Sequence, residues 1–303
     1  MRGPTTSTDP APAADGGWTR FAPAPTGYLH LGHVANAIWV WGLAAATGSR
    51  VFLQIEDHDR ERSRATYDAA ILEDLAWLGF LPDAGPVRQR DHTEPYEVAL
   101  DLLRMHQLVY ACDCTRATSS AWAAAHGASW QGPGCPGGCR DRGLVEDADL
   151  VLRAAVGTGS EAWDDLILGS RNGNPSAAGD PPIRDRHGNW TYGFAVVVDD
   201  LRQSVSLVVR GEDLADATPA QIRLARLLGR RGSPVFAHHP LIRKATGGKL
   251  SKADGDTGVR NLRASGHSAV SVIGAAAAAV GLIADPRPME VAEAVAAVEG
   301  LFS

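Results

Sequence analysis

The sequence predicts an α/β fold in which a parallel sheet is split into two halves by an insertion and followed by a small helical part. Three observations carry that expectation: short apolar runs that end abruptly in charged clusters, helical periodicity between them, and a Cys- and Gly-rich stretch in the middle of the chain. Met1 to Gly17 is rich in Pro, Ala, Thr and Asp and has no apolar core, so it reads as a disordered leader and not as a signal peptide. Val51-Phe52-Leu53-Gln54-Ile55 is an apolar run that delivers Glu56-Asp57-His58-Asp59 at its end, the pattern of a buried parallel strand with polar residues at its C-terminal edge. Tyr67 to Leu78 and Tyr96 to Leu108 carry helically spaced apolar residues and read as crossover helices. Beyond the insertion, Gly193 to Val198 and Val205 to Val209 read as two more core strands, ending in Asp199-Asp200 and Arg210-Gly211-Glu212-Asp213. Ser268 to Ser303 alternates Ala-rich runs with Pro286 and Pro288, which predicts two short helices and no further sheet. The expected organisation is a leader over 1–17, a first half over 18–110, an insertion over 111–182, a second half over 183–245, and a loop with a helical tail over 246–303.

With 303 residues, 45% of them hydrophobic, the chain can bury a sizeable core, and no apolar run is long enough to span a membrane. A cytoplasmic monomer with no membrane partner is expected. The net charge of -6 argues against a broad nucleic-acid surface, but charge is not evenly spread. Between Ala220 and Gly266, ten Lys or Arg face only Asp254 and Asp256, a local balance of +8. That segment suits nucleotide phosphates or an RNA backbone; a solvated arginine-rich helix face is the alternative.

All four cysteines, Cys112, Cys114, Cys135 and Cys139, fall within 28 residues. Under reducing conditions this clustering favours a tetrahedral thiolate site for structural zinc over disulfides, and four thiolates leave no open position for catalysis. Reduced small residues in a loop are the alternative.

Two short signatures remain. Arg20-Phe21-Ala22-Pro23-Ala24-Pro25-Thr26-Gly27 leads into His30-Leu31-Gly32-His33, which places two imidazoles three residues apart at a strand-to-helix junction; about 220 residues later comes Lys249-Leu250-Ser251-Lys252. Each is weak alone, since a metal pair or surface histidines would explain the first and a solvated loop the second. Together, in this order, they resemble the paired signature motifs of class I aminoacyl-tRNA synthetases, a Rossmann-like fold. Ile55 to Asp59, Tyr192 to Asp200, Arg210 to Leu214 and His239-Pro240-Leu241 extend the resemblance to the glutamyl-tRNA synthetase family over about Trp18 to Arg263, with the cysteine cluster where that family carries its zinc. The short glutamyl-Q tRNA(Asp) branch is the more similar one. The chain stops about fifty residues after Lys252, where translational members continue into an anticodon-binding domain, so no such domain is expected.

The resemblance implies ATP-dependent activation of glutamate, with Mg2+ accompanying ATP, and transfer of glutamate to queuosine in the anticodon stem-loop of tRNA(Asp). His30, His33, Lys249 and Lys252 would be catalytic, and His30, Gly32, His33 and Lys252 would contact ATP. Arg20, Ala22, Ala24, Glu56, Tyr192 and Arg210 would bind glutamate, the arginines taking carboxylates and Glu56 the ammonium. The chemistry agrees: guanidinium forks match carboxylates, and one buried carboxylate answers a single cation. For each residue alone, a structural ion pair is the alternative. The chain departs from the family at Ala24, where Ser is usual, at Gly193, where Asn is common, at Val196, where translational members carry a polar residue, and at Cys135, where some short forms use Tyr. Two rival classes are an adenylating enzyme that serves a carrier protein or small acceptor, and a non-catalytic binding module with degraded signatures.

Overall fold

The computed structural model describes residues 16–125, 132, 134–242 and 258–302. β1 (Trp18–Phe21) opens the sheet and α1 (Leu31–Thr47) carries the chain over to β2 (Arg50–Ile55), after which α2 (Ala65–Leu78), β3 (Ala84–Arg88) and α3 (Glu94–Met105) complete the first half. The insertion holds β4 (Val109–Cys112), α4 (Arg116–Ala125), β5 (Val151–Ala154), β6 (Glu161–Trp163), β7 (Arg171–Gly173) and β8 (Pro182–Arg184). α5 (Tyr192–Arg202), β9 (Leu207–Gly211), α6 (Thr218–Leu227) and β10 (Val235–His239) form the second half, and α7 (Val259–Ala264), α8 (Ala269–Ala279) and α9 (Val291–Glu299) follow.

β1, β2 and β3 pair in parallel, as do β9 and β10. A parallel bridge between Trp18 and Val205, with Ser206 N–H donating to Trp18 O at 2.9 Å, joins the two groups in the spatial order β3-β2-β1-β9-β10. The winding direction reverses between β1 and β9, and in open α/β sheets the crevice at such a switch point is where ligands bind. β2 buries Val51, Phe52, Leu53 and Ile55 on both faces, as a strand covered by helices must.

α1 is buried almost all round, because the sheet covers one side and α8 and α9 cover the other. Gly42 permits the α9 contact: a Cβ there would lie 2.4 Å from Val298 Cβ. The predicted helical tail thus packs into the main hydrophobic core against α1. β4, β5 and β8 form an antiparallel sheet over α3 and α5, so the insertion sheet straddles both expected insertion boundaries.

One expected strand is a helix. Gly193 to Val198 lies in α5, where Phe194, Ala195, Val196, Val197 and Val198 are all buried between α3, α6 and β8. A short apolar run reads alike in a buried strand and in a helix buried on all sides, and three consecutive valines tilted the reading towards a strand. Tertiary burial overrode that preference.

Candidate active site

The loop from β1 to α1 ends at His30, which caps α1. Gly32 N–H donates to His30 Nδ1 at 3.1 Å, and His30 N–H donates to His33 Nδ1 at 3.1 Å. This reciprocal capping box satisfies two of the orphan donors of the helix start. It also fixes the chemistry: with each Nδ1 accepting, the neutral rings carry their proton on Nε2. The two rings lie 4.0 Å apart by centroid, a pair of imidazole N–H donors at a helix N-terminus. Gly32 leaves room for this arrangement, since a Cβ there would sit 2.9 Å from His30 Cε1.

Beside these rings a cleft of about 380 Å³ is lined by Arg20, Ala22, His30, Gly32, His33, Asn36, Glu56, Tyr192, Arg210, Asp213 and His239, among others. Arg20 comes from β1, Glu56 follows β2, Arg210 lies on β9 and Tyr192 starts α5, so the C-terminal ends of three parallel strands converge here. Ala24 is not among the lining residues; its carbonyl accepts Thr26 N–H in the loop.

The charges in the cleft are not equally matched. Arg20 is buried and donates from Nε and Nη2 to Asp200 at 2.7 and 3.2 Å; burial alone would depress its pKa, but the Asp200 carboxylate outweighs that and raises it. Arg210 is equally buried, yet its partners are His238 Nε2 at 3.0 Å, Gln221 Oε1 at 2.6 Å, Thr218 Oγ1 at 2.8 Å and Leu214 O at 3.4 Å. None of these carries a negative charge, and burial lowers the Arg210 pKa. Glu56 makes no ion pair among the described residues, and burial pushes its carboxyl up to about 8 despite Arg20 nearby. Its neighbours have structural work: Asp57 takes Arg90, and Asp59 accepts from the N–H groups of Glu61 and Arg62 at 3.1 Å. Among the described residues, the cleft therefore presents a guanidinium with no carboxylate in direct contact and a carboxyl with no ion-pair partner.

Around it lies a buried network that the sequence did not disclose. Asp199 accepts from Tyr96 at 2.9 Å, Gln89 at 2.8 Å and Gln54 at 3.2 Å, and burial raises its pKa to about 6. Asp165 Oδ2 accepts from His238 Nδ1 at 2.5 Å. The sequence signal for Asp199 and Asp200 was a carboxylate pair closing an apolar run; Asp165 carried none. Lys249 to Lys252 lie outside the described residues. Their described flanks both reach the cleft, for Ile242 lines it and Gly258 bridges to His30.

In the insertion, the four cysteine Sγ atoms lie within 4.8 Å of one another, with Cys114 3.2 Å from Cys139 and 4.0 Å from Cys135. No disulfide joins them. Tetrahedral zinc thiolates, with Zn–S of about 2.3 Å, set their sulfurs about 3.8 Å apart, so the donor set fits that ion. Asp180 holds the Cys135 loop by a two-way backbone bridge, while its buried carboxylate takes Tyr110 and Arg140 at 2.7 and 2.6 Å.

The basic segment is less available than its charge suggests. Arg223 and Arg226 pair with buried Glu161 at 2.5 and 3.0 Å, Arg230 donates to Val205 O, and Arg260 pairs with Glu73. Arg231 remains exposed.

Residues 18–275 match the family model for class I tRNA synthetases (E and Q), catalytic domain. The chain belongs to this family. It is 40% identical over 286 residues to a glutamyl-Q tRNA(Asp) synthetase of Symbiobacterium thermophilum, covering 89% of this chain and 88% of that protein. It is likewise 40% identical to a protein of the same name from Rhodobacter capsulatus, covering 84% of this chain and 97% of the relative. A glutamate–tRNA ligase of Paracidovorax citrulli is 37% identical over 82% of this chain, but the match spans 53% of that protein. A crystal structure of a glutamate tRNA ligase from Elizabethkingia meningosepticum in complex with its amino acid superposes with a TM-score of 0.72 at 26% identity, covering 92% of this chain and 64% of the other. As a class I synthetase of this family the chain is an enzyme of the ligase type. No helix among the described residues is long and apolar enough to cross a membrane.

Proposed function

We propose that this class I synthetase activates glutamate with ATP and passes it to queuosine in the anticodon stem-loop of tRNA(Asp). The observation that carries the reading is that, among the described residues, Arg210 touches no carboxylate and Glu56 makes no ion pair in the cleft. A zwitterionic acid with a second carboxylate supplies a partner to each, and Arg20, oriented by Asp200, offers the second guanidinium. Similarity at 40% over 88% and 97% of the lengths of two glutamyl-Q tRNA(Asp) synthetases supports the acceptor.

In this reading the α-carboxylate oxygen attacks the α-phosphorus of ATP, a P–O bond forms, and pyrophosphate leaves. Negative charge grows on the phosphoryl oxygens, and preorganised donors lower the barrier. The Nε2–H groups of His30 and His33 and the N-terminus of α1 are those donors, Gly32 lets the nucleotide approach, and Lys249 and Lys252 neutralise the departing phosphates. Mg2+ enters with ATP. Cys112, Cys114, Cys135 and Cys139 would hold zinc, which would tie the β4 end of the insertion to the Cys135 loop.

ATP–pyrophosphate exchange across a panel of amino acids tests the activation step. Exchange with glutamate, and at least tenfold weaker exchange with aspartate and glutamine, is expected; exchange driven best by another amino acid would remove the assignment. Exchange without any tRNA labelling would favour the carrier or small-molecule acceptor.

A further inference from the structure

We propose that Asp165 and His238 are positioning residues that fix the Arg210 guanidinium for carboxylate recognition by holding the His238 imidazole in one tautomer. The proposal rests on the reading of Arg210 as a glutamate-binding residue. Asp165 belongs to the insertion: residues 164–166 lie along β10, with Leu166 N–H donating to Phe236 O at 2.8 Å and Phe236 N–H to Asp164 O at 3.0 Å. Asp165 Oδ1 accepts the backbone N–H groups of Leu168 at 2.9 Å, Ile167 at 3.0 Å and His238 at 3.3 Å. Oδ2 is left for His238 Nδ1 at 2.5 Å, and both side chains are fully enclosed.

The polarity of this chain is determined at both ends. Arg210 Nε–H can only donate, so His238 Nε2, 3.0 Å away, must accept and the ring proton must sit on Nδ1. Thr218 Oγ1, 3.2 Å from the same Nε2, can donate there as well, and Phe236 stacks on the ring at an interplanar angle of 7°. Asp165 is the acceptor that makes the Nδ1–H tautomer the stable one, and through it the insertion sets the orientation of a side chain in the cleft.

Asp165→Asn tests this with nearly unchanged shape. Three backbone donors hold the amide oxygen at the Oδ1 position, so the NH2 group faces His238 Nδ1 and moves the ring proton to Nε2, where it opposes Arg210 Nε–H. The expected result in pyrophosphate exchange is a KM for glutamate raised roughly tenfold or more with KM for ATP changed less than about twofold, as suits loss of one aligned charge-assisted contact. Nitrogen-15 NMR of the ring should show His238 protonated on Nδ1 in the parent enzyme and on Nε2 in the variant. His238→Gln keeps an acceptor for Arg210 and has no tautomer to choose. It should stay within about threefold of the parent KM and reduce the Asp165→Asn effect to a similar factor, whereas His238→Leu should match Asp165→Asn. If Asp165→Asn does not fold, the contrast between His238→Gln and His238→Leu decides. Equal effects of Gln and Leu, an unmoved ring proton, or parallel rises in both KM values overturn the proposal. Arg210→Lys separates the two levels: an unchanged KM for glutamate there would remove the parent reading, while a raised KM there with a normal Asp165→Asn enzyme would remove only the positioning role.

Discussion

Glu56 is a buried carboxyl for which the cost of burial outweighs the stabilisation of its charge by the Arg20 guanidinium nearby. Its folded pKa of about 8 lies above the ordinary value of 4.5, so the proton is held more tightly folded than unfolded, and this contribution to stability is lost as pH rises from about 4.5 through 8. Glu56→Gln should therefore flatten the fall in melting temperature across that range. An ammonium beside Glu56 favours its ionised form, so glutamate binding at pH 7 should release about one proton from this group, read by calorimetry in buffers of different ionisation enthalpy. Equal heats in all buffers would place the ammonium elsewhere. Gly32→Ala should drive His30 out of its cap and slow adenylate formation by roughly a hundredfold, as loss of an aligned electrostatic donor does, with the melting temperature lowered only slightly. The place of these residues in the cleft was legible because the end of the β2 run delivers Glu56 and the His30 to His33 motif delivers Gly32, while their roles came from the family resemblance. Asp200 and Asp165 were not: the first meets Arg20 across 180 residues and the second meets His238 across 73, and no local pattern encodes such pairs.

At the scale of elements, α5 shows where pattern reading stops. Its valines favour a strand locally, yet they are buried on all sides of a helix that brings Asp199 to Tyr96 and Asp200 to Arg20. β2 was legible from its apolar run, α2 and α3 from their helical periodicity, and the two tail helices from Ala-rich runs broken by prolines, each in agreement with the burial observed. The short strands of the insertion were not, since three-residue elements such as β6 and β7 carry too little pattern. The positive charge read along α6 is partly structural, because Glu161 is buried and answered by Arg223 and Arg226. Arg223→Glu should cost roughly 2 kcal/mol of stability in denaturant unfolding, the buried-pair penalty reduced for the partial exposure of Arg223. The cysteine cluster should yield one zinc per chain by elemental analysis, and Cys112→Ser should lose it and weaken transfer to tRNA more than adenylate formation. Adenylation abolished in a folded variant would contradict a structural role.

At the scale of the whole molecule, the insertion is tied to the two halves by its own sheet over α3 and α5, by the Glu161 pairs with Arg223 and Arg226, and by residues 164–166 along β10, where Asp165 meets His238. In the proposed reading, the insertion thus contributes to the cleft that would hold glutamate as well as to the cysteine cluster. The most direct test follows labelled glutamate, with ATP, onto tRNA(Asp) that carries queuosine and onto the same tRNA without it, after first showing glutamate-dependent pyrophosphate exchange without tRNA. The account predicts label on the modified tRNA alone, retained when the 3′ terminal nucleoside is removed. Label on both tRNAs that is lost with that nucleoside would contradict it.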